Sequence, residues 1–174
     1  MSVLARPLRT LLSVLLIAVA ASACGGSSGA APAAPPPAMQ ASALTGPLSV
    51  LAAEPLGKAY QDAQVKLANT NPGLALTYRF AGSPALTERL RQGTPTDVFA
   101  ADEATVRTVA DAGLVEAPEV FARTEQSSGQ NSGATYSIAV VKTAKNRAGA
   151  QAFVDYLVSG RGQRILQSHG FTAP

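Results

Sequence analysis

The chain has 174 residues with a formal charge of +3, and it contains one cysteine, one histidine and no tryptophan. A lone cysteine excludes an internal disulfide framework, and one histidine with one cysteine gives no Cys/His metal set. Nowhere do Lys and Arg cluster with aromatic residues, so the footprint of a nucleic-acid binder is missing.

Arg6 and Arg9 precede an apolar run from Leu11 to Val19, and Ala21-Ser22-Ala23 follows as a small-residue cleavage site. This is the layout of a secretion signal over 1–23, with an apolar run too short to span a membrane. Cys24 comes next, as in a bacterial lipoprotein signal, although Ala21 stands where a larger aliphatic is commoner. Two outcomes stay open. Acylation of Cys24 would hold the exported chain to the extracytoplasmic face of the cell membrane, and simple cleavage after Ala23 would leave a free thiol. Loss of 1–23 removes Arg6 and Arg9 but no acidic residue, so the formal charge falls to +1. The basic balance therefore gives no support for a nucleic-acid partner.

Residues 24–46 are almost wholly Gly, Ser, Ala and Pro and carry no charge. Such a stretch buries too little apolar surface to order itself and reads as a tether. The remaining region, 47–174, is long enough for one core.

Leu48 to Ala53 predicts a strand, and Leu56, Ala59, Tyr60, Ala63 and Leu67 predict a helix that Asn71-Pro72-Gly73 ends. Leu74, Leu76, Tyr78 and Phe80 alternate with polar or small residues, giving a second strand with one buried face. A second helix follows Gly82-Ser83-Pro84 and stops at Gly93. Asp97 to Ala101 is a third strand, and Glu103 to Ala112 a third helix closed by Gly113. Residues 116–134 lose all periodicity and read as a polar connection. Thr135 to Val141 then predicts a strand, Ala150 to Val158 an amphipathic helix, and Ile165 and Leu166 a last short helix before Gly170, with Phe171 folding back. There is no internal repeat. The alternation implies an α/β lobe of three layers around a mainly parallel sheet, and ligands of such sheets sit at the carboxyl ends of the strands.

Chemistry-bearing residues are sparse. His169, in the last helical turn, reads as a helix-end group rather than as a catalytic or metal-binding one. Asp102 and Glu103 open a helix, where the macrodipole favours carboxylates without any acid–base role. A hydrolase built on Ser83 would need a partnered histidine, and His169 offers none. No catalytic set, metal site or resident cofactor is therefore expected. Gly82-Ser83-Pro84 carries two readings. Ser83 is an N-cap and nothing more, or it joins the unpaired N–H groups of the following turn in an uncharged anion cradle.

The segments Leu48 to Ala53, Tyr78 to Ser83, Gly93 to Ala100, Asp111 to Val115, Tyr136 to Val141, Phe153 to Leu157 and Gly170-Phe171 run in the order found in bacterial molybdate-binding proteins. The chain resembles that family, the extracytoplasmic solute-binding components of molybdate ABC transporters. The resemblance implies a two-lobed type II periplasmic-binding fold that captures molybdate, or tungstate, through hydroxyls and backbone N–H groups and delivers it to a permease. It implies that Ser83 binds the oxyanion, with Gly82 beside it. Three departures stand out. Glu54-Pro55 replaces the family's Ala-Ser, so the first loop lacks a hydroxyl and an N–H. The third-strand motif is one residue shorter between Phe99 and Asp102. Between Glu125 and Thr135 about a dozen polar residues stand where the resemblance implies a whole second lobe. The expected protein is thus a single-lobe relative with impaired binding, or a lipid-anchored remnant that only meets a partner.

Overall fold

The computed structural model describes residues 44–124 and 133–174, all within one compact unit. The expected secretion signal, Cys24, the expected tether as far as residue 43 and the polar run 125–132 lie outside the described residues.

Strand β1 (Gly46–Ala53) leads through a single 3-10 turn (Glu54–Leu56) into helix α1 (Gly57–Thr70), and then to β2 (Leu74–Ala81) and α2 (Ser83–Arg91). β3 (Val98–Asp102), α3 (Glu103–Asp111), β4 (Glu119–Thr124) and β5 (Thr135–Val140) follow. The chain closes with α4 (Arg147–Val158), α5 (Gly160–Ser168) and the two-residue β6 (Phe171–Thr172). Gly113 and Gly170 adopt φ of 72° and 83°, the left-handed conformation that releases the chain from α3 and α5.

The sheet order is β2-β1-β3-β5-β4-β6. β1 pairs in parallel with β2 and with β3, whereas β5 is antiparallel to both β3 and β4, and β6 is antiparallel to β4. Four strands (β2, β1, β3, β4) therefore share one direction, and β5 and β6 run against them. The predicted α/β lobe is present, with a sheet that is mixed in its pairing. α1, α4 and α5 pack against one another and α2 packs against α3, each set against the sheet, giving three layers.

Two boundaries differ from the sequence reading. The folded region includes residues before 47: Leu44 is buried in the core, and the Gly46 N–H donates to the Gly73 carbonyl at 2.8 Å. An apolar side chain next to a core strand finds cover there, whatever its neighbours' composition. The supposed connection 116–134 contains β4, whose Phe121 and Ala122 are fully buried. A register shift between Val120 and Ala122 turns neighbouring residues inward together, which erases the alternation a strand ordinarily shows.

The core on the α1 side gathers aromatic rings. Tyr60 stands 5.7 Å from Tyr78, 5.9 Å from Phe153 and 6.3 Å from Phe121, ring centre to ring centre. It is fully buried, its hydroxyl has no hydrogen-bond partner among the described residues, and burial holds its pKa well above the usual phenol range. Tyr60→Phe is expected to stabilise the fold by about 1 kcal/mol, because an unpaired buried hydroxyl is a net cost. A urea midpoint that falls in the variant would show that the hydroxyl has a partner in solution.

Candidate functional site

The strand order places β1 between β2 and β3, so the chain leaves β1 for β2 on one side and reaches β3 on the other. The carboxyl ends of β1 and β3 flank the point where the order reverses, which is where such sheets open a crevice. Ala53 pairs with Ala81, and Ala52 with Ala100, so the three strands end at one level. Glu54-Pro55, Gly82-Ser83 and Asp102-Glu103 therefore emerge along the same edge.

The local chemistry of α2 differs from the sequence reading. Gly82, with φ −66° and ψ 150°, is the N-cap; Ser83 is the first helical residue and Pro84 the second. Ser83 does not cap α2. Its hydroxyl crosses to β3 and donates to Asp102 Oδ2. The first helical N–H groups have no carbonyl within the helix to bond, and Pro84 has no N–H at all. The positive end of α2 and the Ser83 oxygen thus share the crevice with a carboxylate.

Asp102 binds on three sides. Its Oδ1 accepts the Thr105 N–H at 2.9 Å, capping α3, and its Oδ2 accepts the Thr105 hydroxyl at 2.8 Å as well as that of Ser83. Partial burial pushes its carboxyl pKa up. The hydrogen bonds from Ser83 and Thr105 and from its own backbone outweigh burial, and the pKa lies below the ordinary aspartate value. Opposite it on β5 stands Tyr136, raised above the usual phenol range first by burial and then by the Asp102 charge. Glu103 pairs with Arg107 at 2.6 Å one turn on. A cleft of about 370 Å³ opens beside this group, lined by Asp102, Glu103, Ala104, Arg107, Ala134 and Thr135.

Glu54 and Pro55 both lie exposed in the 3-10 turn, and Pro55 offers no N–H to the crevice. The site that the sequence places at Gly82-Ser83 thus gains Asp102 and Thr105 from the structure. A pairing across strand ends, 19 residues apart, leaves no periodic signal.

His169 lies elsewhere. It terminates α5, and its Nε2 meets Asp62 Oδ2 of α1 at 2.8 Å, so it ties two helices together. A further cleft of about 690 Å³, lined in part by Leu44, Tyr156, Arg161 and Arg164, shares no residue with the crevice. Among the described residues no group of three or more His, Cys, Asp or Glu is placed to hold a metal ion. No helix among them is long and apolar enough to cross a membrane.

The sequence model of the bacterial extracellular solute-binding proteins matches residues 48–127 and 126–172, nearly the whole of the folded region. The chain belongs to this family. As a solute-binding protein it is an exported chain, and its architecture is that of a periplasmic-binding-protein lobe. Among solved structures it is similar to a Clostridium difficile protein assigned as the substrate-binding domain of a molybdenum ABC transporter. The TM-score is 0.67 at 14% identity, over 74% of this chain and 99% of that one. The periplasmic molybdate-binding protein of Azotobacter vinelandii follows, with a TM-score of 0.66 at 10% identity over 73% and 99%. The sulfate-binding protein SubI of Mycobacterium tuberculosis gives 0.60 at 10% identity over 73% and 86%. These likenesses establish the fold alone. No curated protein sequence matches the chain.

Proposed function

We propose that this solute-binding protein is a lipoprotein held through Cys24 on the extracytoplasmic face of the membrane by a tether that runs from Cys24 to the start of the folded region at Leu44, where it captures molybdate or tungstate for an ABC transporter permease. The observation that carries the reading is the Ser83 hydroxyl at the positive end of α2, on the carboxyl edge of the sheet beside the point where the strand order reverses. Hydroxyls and helix N–H groups are suited to an oxyanion that stays fully deprotonated, since they donate without adding charge. Two of the similar structures are named for molybdenum or molybdate and one for sulfate, which supports an oxyanion more firmly than it supports one oxyanion. The family match divides into two pieces that meet at 126–127, in line with a single lobe whose partner lobe is missing at that point. Gly82 and Ser83 would then face water on one side, and capture should be weak, because donors gain most when enclosed.

A second reading has its own observation. Asp102 already takes the Ser83 hydroxyl, and Glu54 lies exposed on the same edge, so the lobe would repel anions and serve only as a partner-binding remnant on the membrane.

The two readings separate in a thermal-shift titration of residues 24–174 with molybdate, tungstate and sulfate. Binding to the native state alone raises stability by about 2.7 kcal/mol at a hundred times the dissociation constant. The expected result is a rise with molybdate and tungstate and little with sulfate. A folded sample that shows no rise up to millimolar anion would sink the capture reading and leave the remnant.

A further inference from the structure

The geometry points to Asp102 as the residue that gates the crevice: its carboxylate holds the Ser83 hydroxyl and must release it before an oxyanion can be retained. This rests on the oxyanion reading above and concerns the same site. A serine hydroxyl has one proton. While that proton is given to Asp102 Oδ2, the Ser83 oxygen turns only lone pairs toward an incoming anion, which reverses its role from donor to repeller. Binding therefore exchanges one anionic acceptor for another.

The exchange is uphill for two reasons. Asp102 is well satisfied where it is, with Oδ1 on the Thr105 N–H at 2.9 Å and Oδ2 on the Thr105 hydroxyl at 2.8 Å, so its carboxylate has no incentive to swing away. Hydrogen bonds to an ionised acceptor are the strong ones, and the Ser83 bond to Asp102 is of that kind. The surrounding charges do not neutralise Asp102: Glu103 is anionic, Arg107 is paired to Glu103 at 2.6 Å, and Tyr136 keeps its proton. A dianion entering the crevice meets a negative carboxylate and a misdirected hydroxyl together. Asp102 thus limits the affinity of the crevice, weakening the hold on every fully deprotonated oxyanion.

Asp102→Asn tests this with little harm to the fold, since an asparagine oxygen still caps α3 through the Thr105 N–H, and Asn caps as well as Asp. The asparagine amide would donate to the Ser83 oxygen and turn the serine proton outward. Calorimetric titration of residues 24–174 with molybdate and with sulfate is expected to show at least a tenfold tighter dissociation constant in D102N than in the wild type. Most of the gain should be lost when D102N is made in an S83A background, where only the relief of charge remains. A wild type that binds while D102N binds no tighter overturns the gate and leaves the oxyanion reading intact, and a gain as large in the S83A background as in the wild type also overturns it. Wild type and D102N that are both folded and both inert overturn the oxyanion reading and the gate together.

A readout without ligand completes the test. Carbon-13 titration of the Asp102 carboxyl should show its pKa rise toward the ordinary aspartate value in Ser83→Ala. An unmoved titration would mean that the hydroxyl is not held in solution, and the gate would fall.

Discussion

Asp97→Ala should destabilise the lobe by about 3 kcal/mol or more, the largest single loss expected of any polar substitution in it. Asp97 precedes β3 and is 7% exposed, and its two carboxylate oxygens accept three backbone N–H groups. Oδ2 takes that of Ser49 in β1 at 2.9 Å, and Oδ1 takes those of Lys145 at 2.8 Å and Asn146 at 3.0 Å. Its own backbone completes the junction, donating to the Ser49 carbonyl at 2.8 Å and accepting from Val141 at 2.9 Å. The side chain thereby fixes β1 to the loop into α4, while the backbone of the same residue holds the end of β5. That loop carries Asn146, which caps α4 through Gly149 and reaches back to the Thr45 and Pro47 carbonyls. Alanine strands three donors, each costing about 1–3 kcal/mol where water cannot replace the acceptor. Against a total of about 5–15 kcal/mol, this moves the thermal midpoint down by about 10 °C. Asp97→Asn should fall between, since one of its two acceptor positions becomes a donor facing a donor. Urea unfolding of the three proteins at neutral pH decides the matter, and an Asp97→Ala loss below about 1 kcal/mol would show that water substitutes for the carboxylate.

How much of this was legible in the sequence depends on the range over which a signal acts. Period-two and period-3.6 patterns located β2 and the helices α1, α3, α4 and α5, Gly82-Ser83-Pro84 and Gly93 bracketed α2, and short apolar runs located β1, β3 and β5, which are buried on both faces. β4 escaped because its bulge buries Phe121 and Ala122 side by side, and Pro118 with the polar run after Thr124 imitates a loop. The fold was readable without β4, since β5 lies between β3 and β4 and residues on both sides of 125–132 complete one sheet. At the site, Gly82 and Ser83 were visible as a strand-to-helix junction. The hydroxyl's acceptor was not, because Asp102 and Ser83 meet only after β1 has been laid between their strands. Asp97 was hidden for the same reason: in sequence it is one acidic residue before an apolar strand, and only pairing across the sheet buries it.

Acidification acts through the same geometry. The Asp102 pKa is depressed in the folded chain, so its contribution to stability is fully present above the unfolded aspartate pKa, about 4. It is lost as pH falls through the lower, folded value. Ser83→Ala removes one of the bonds that depress it, so the acid side of the stability curve should flatten in that variant.

Gly162→Ala is the second large effect, and its sign opposes the one that helix propensity alone gives. In the interior of an exposed helix, glycine to alanine gains about 1 kcal/mol. Gly162 is instead buried in α5, and a Cβ there would lie 2.3 Å from the Tyr156 carbonyl oxygen, 2.5 Å from Leu157 Cα and 2.8 Å from the Leu157 oxygen. These are backbone atoms of α4, which cannot rotate aside as a side-chain tip does. Two helices joined end to end approach so closely only because no side chain intervenes. Moving α5 away would loosen Ile165 and Leu166 and break the bonds from Gln163 Nε2 to the Phe121 carbonyl at 2.8 Å and the Leu157 carbonyl at 2.9 Å. Overpacking of this kind costs about 1–3 kcal/mol, and contact with backbone places it at the upper end, leaving a net loss of about 2 kcal/mol. Gly160→Ala is the internal control. Its added carbon meets only the tip of Arg164, at 3.7 Å, so stability should change by less than about 0.5 kcal/mol. If both substitutions prove neutral, α5 is free to slide on α4. The Phe121 carbonyl would then lose its tie to Gln163, and with it the brace that α5 gives to β4 beside the 125–132 connection.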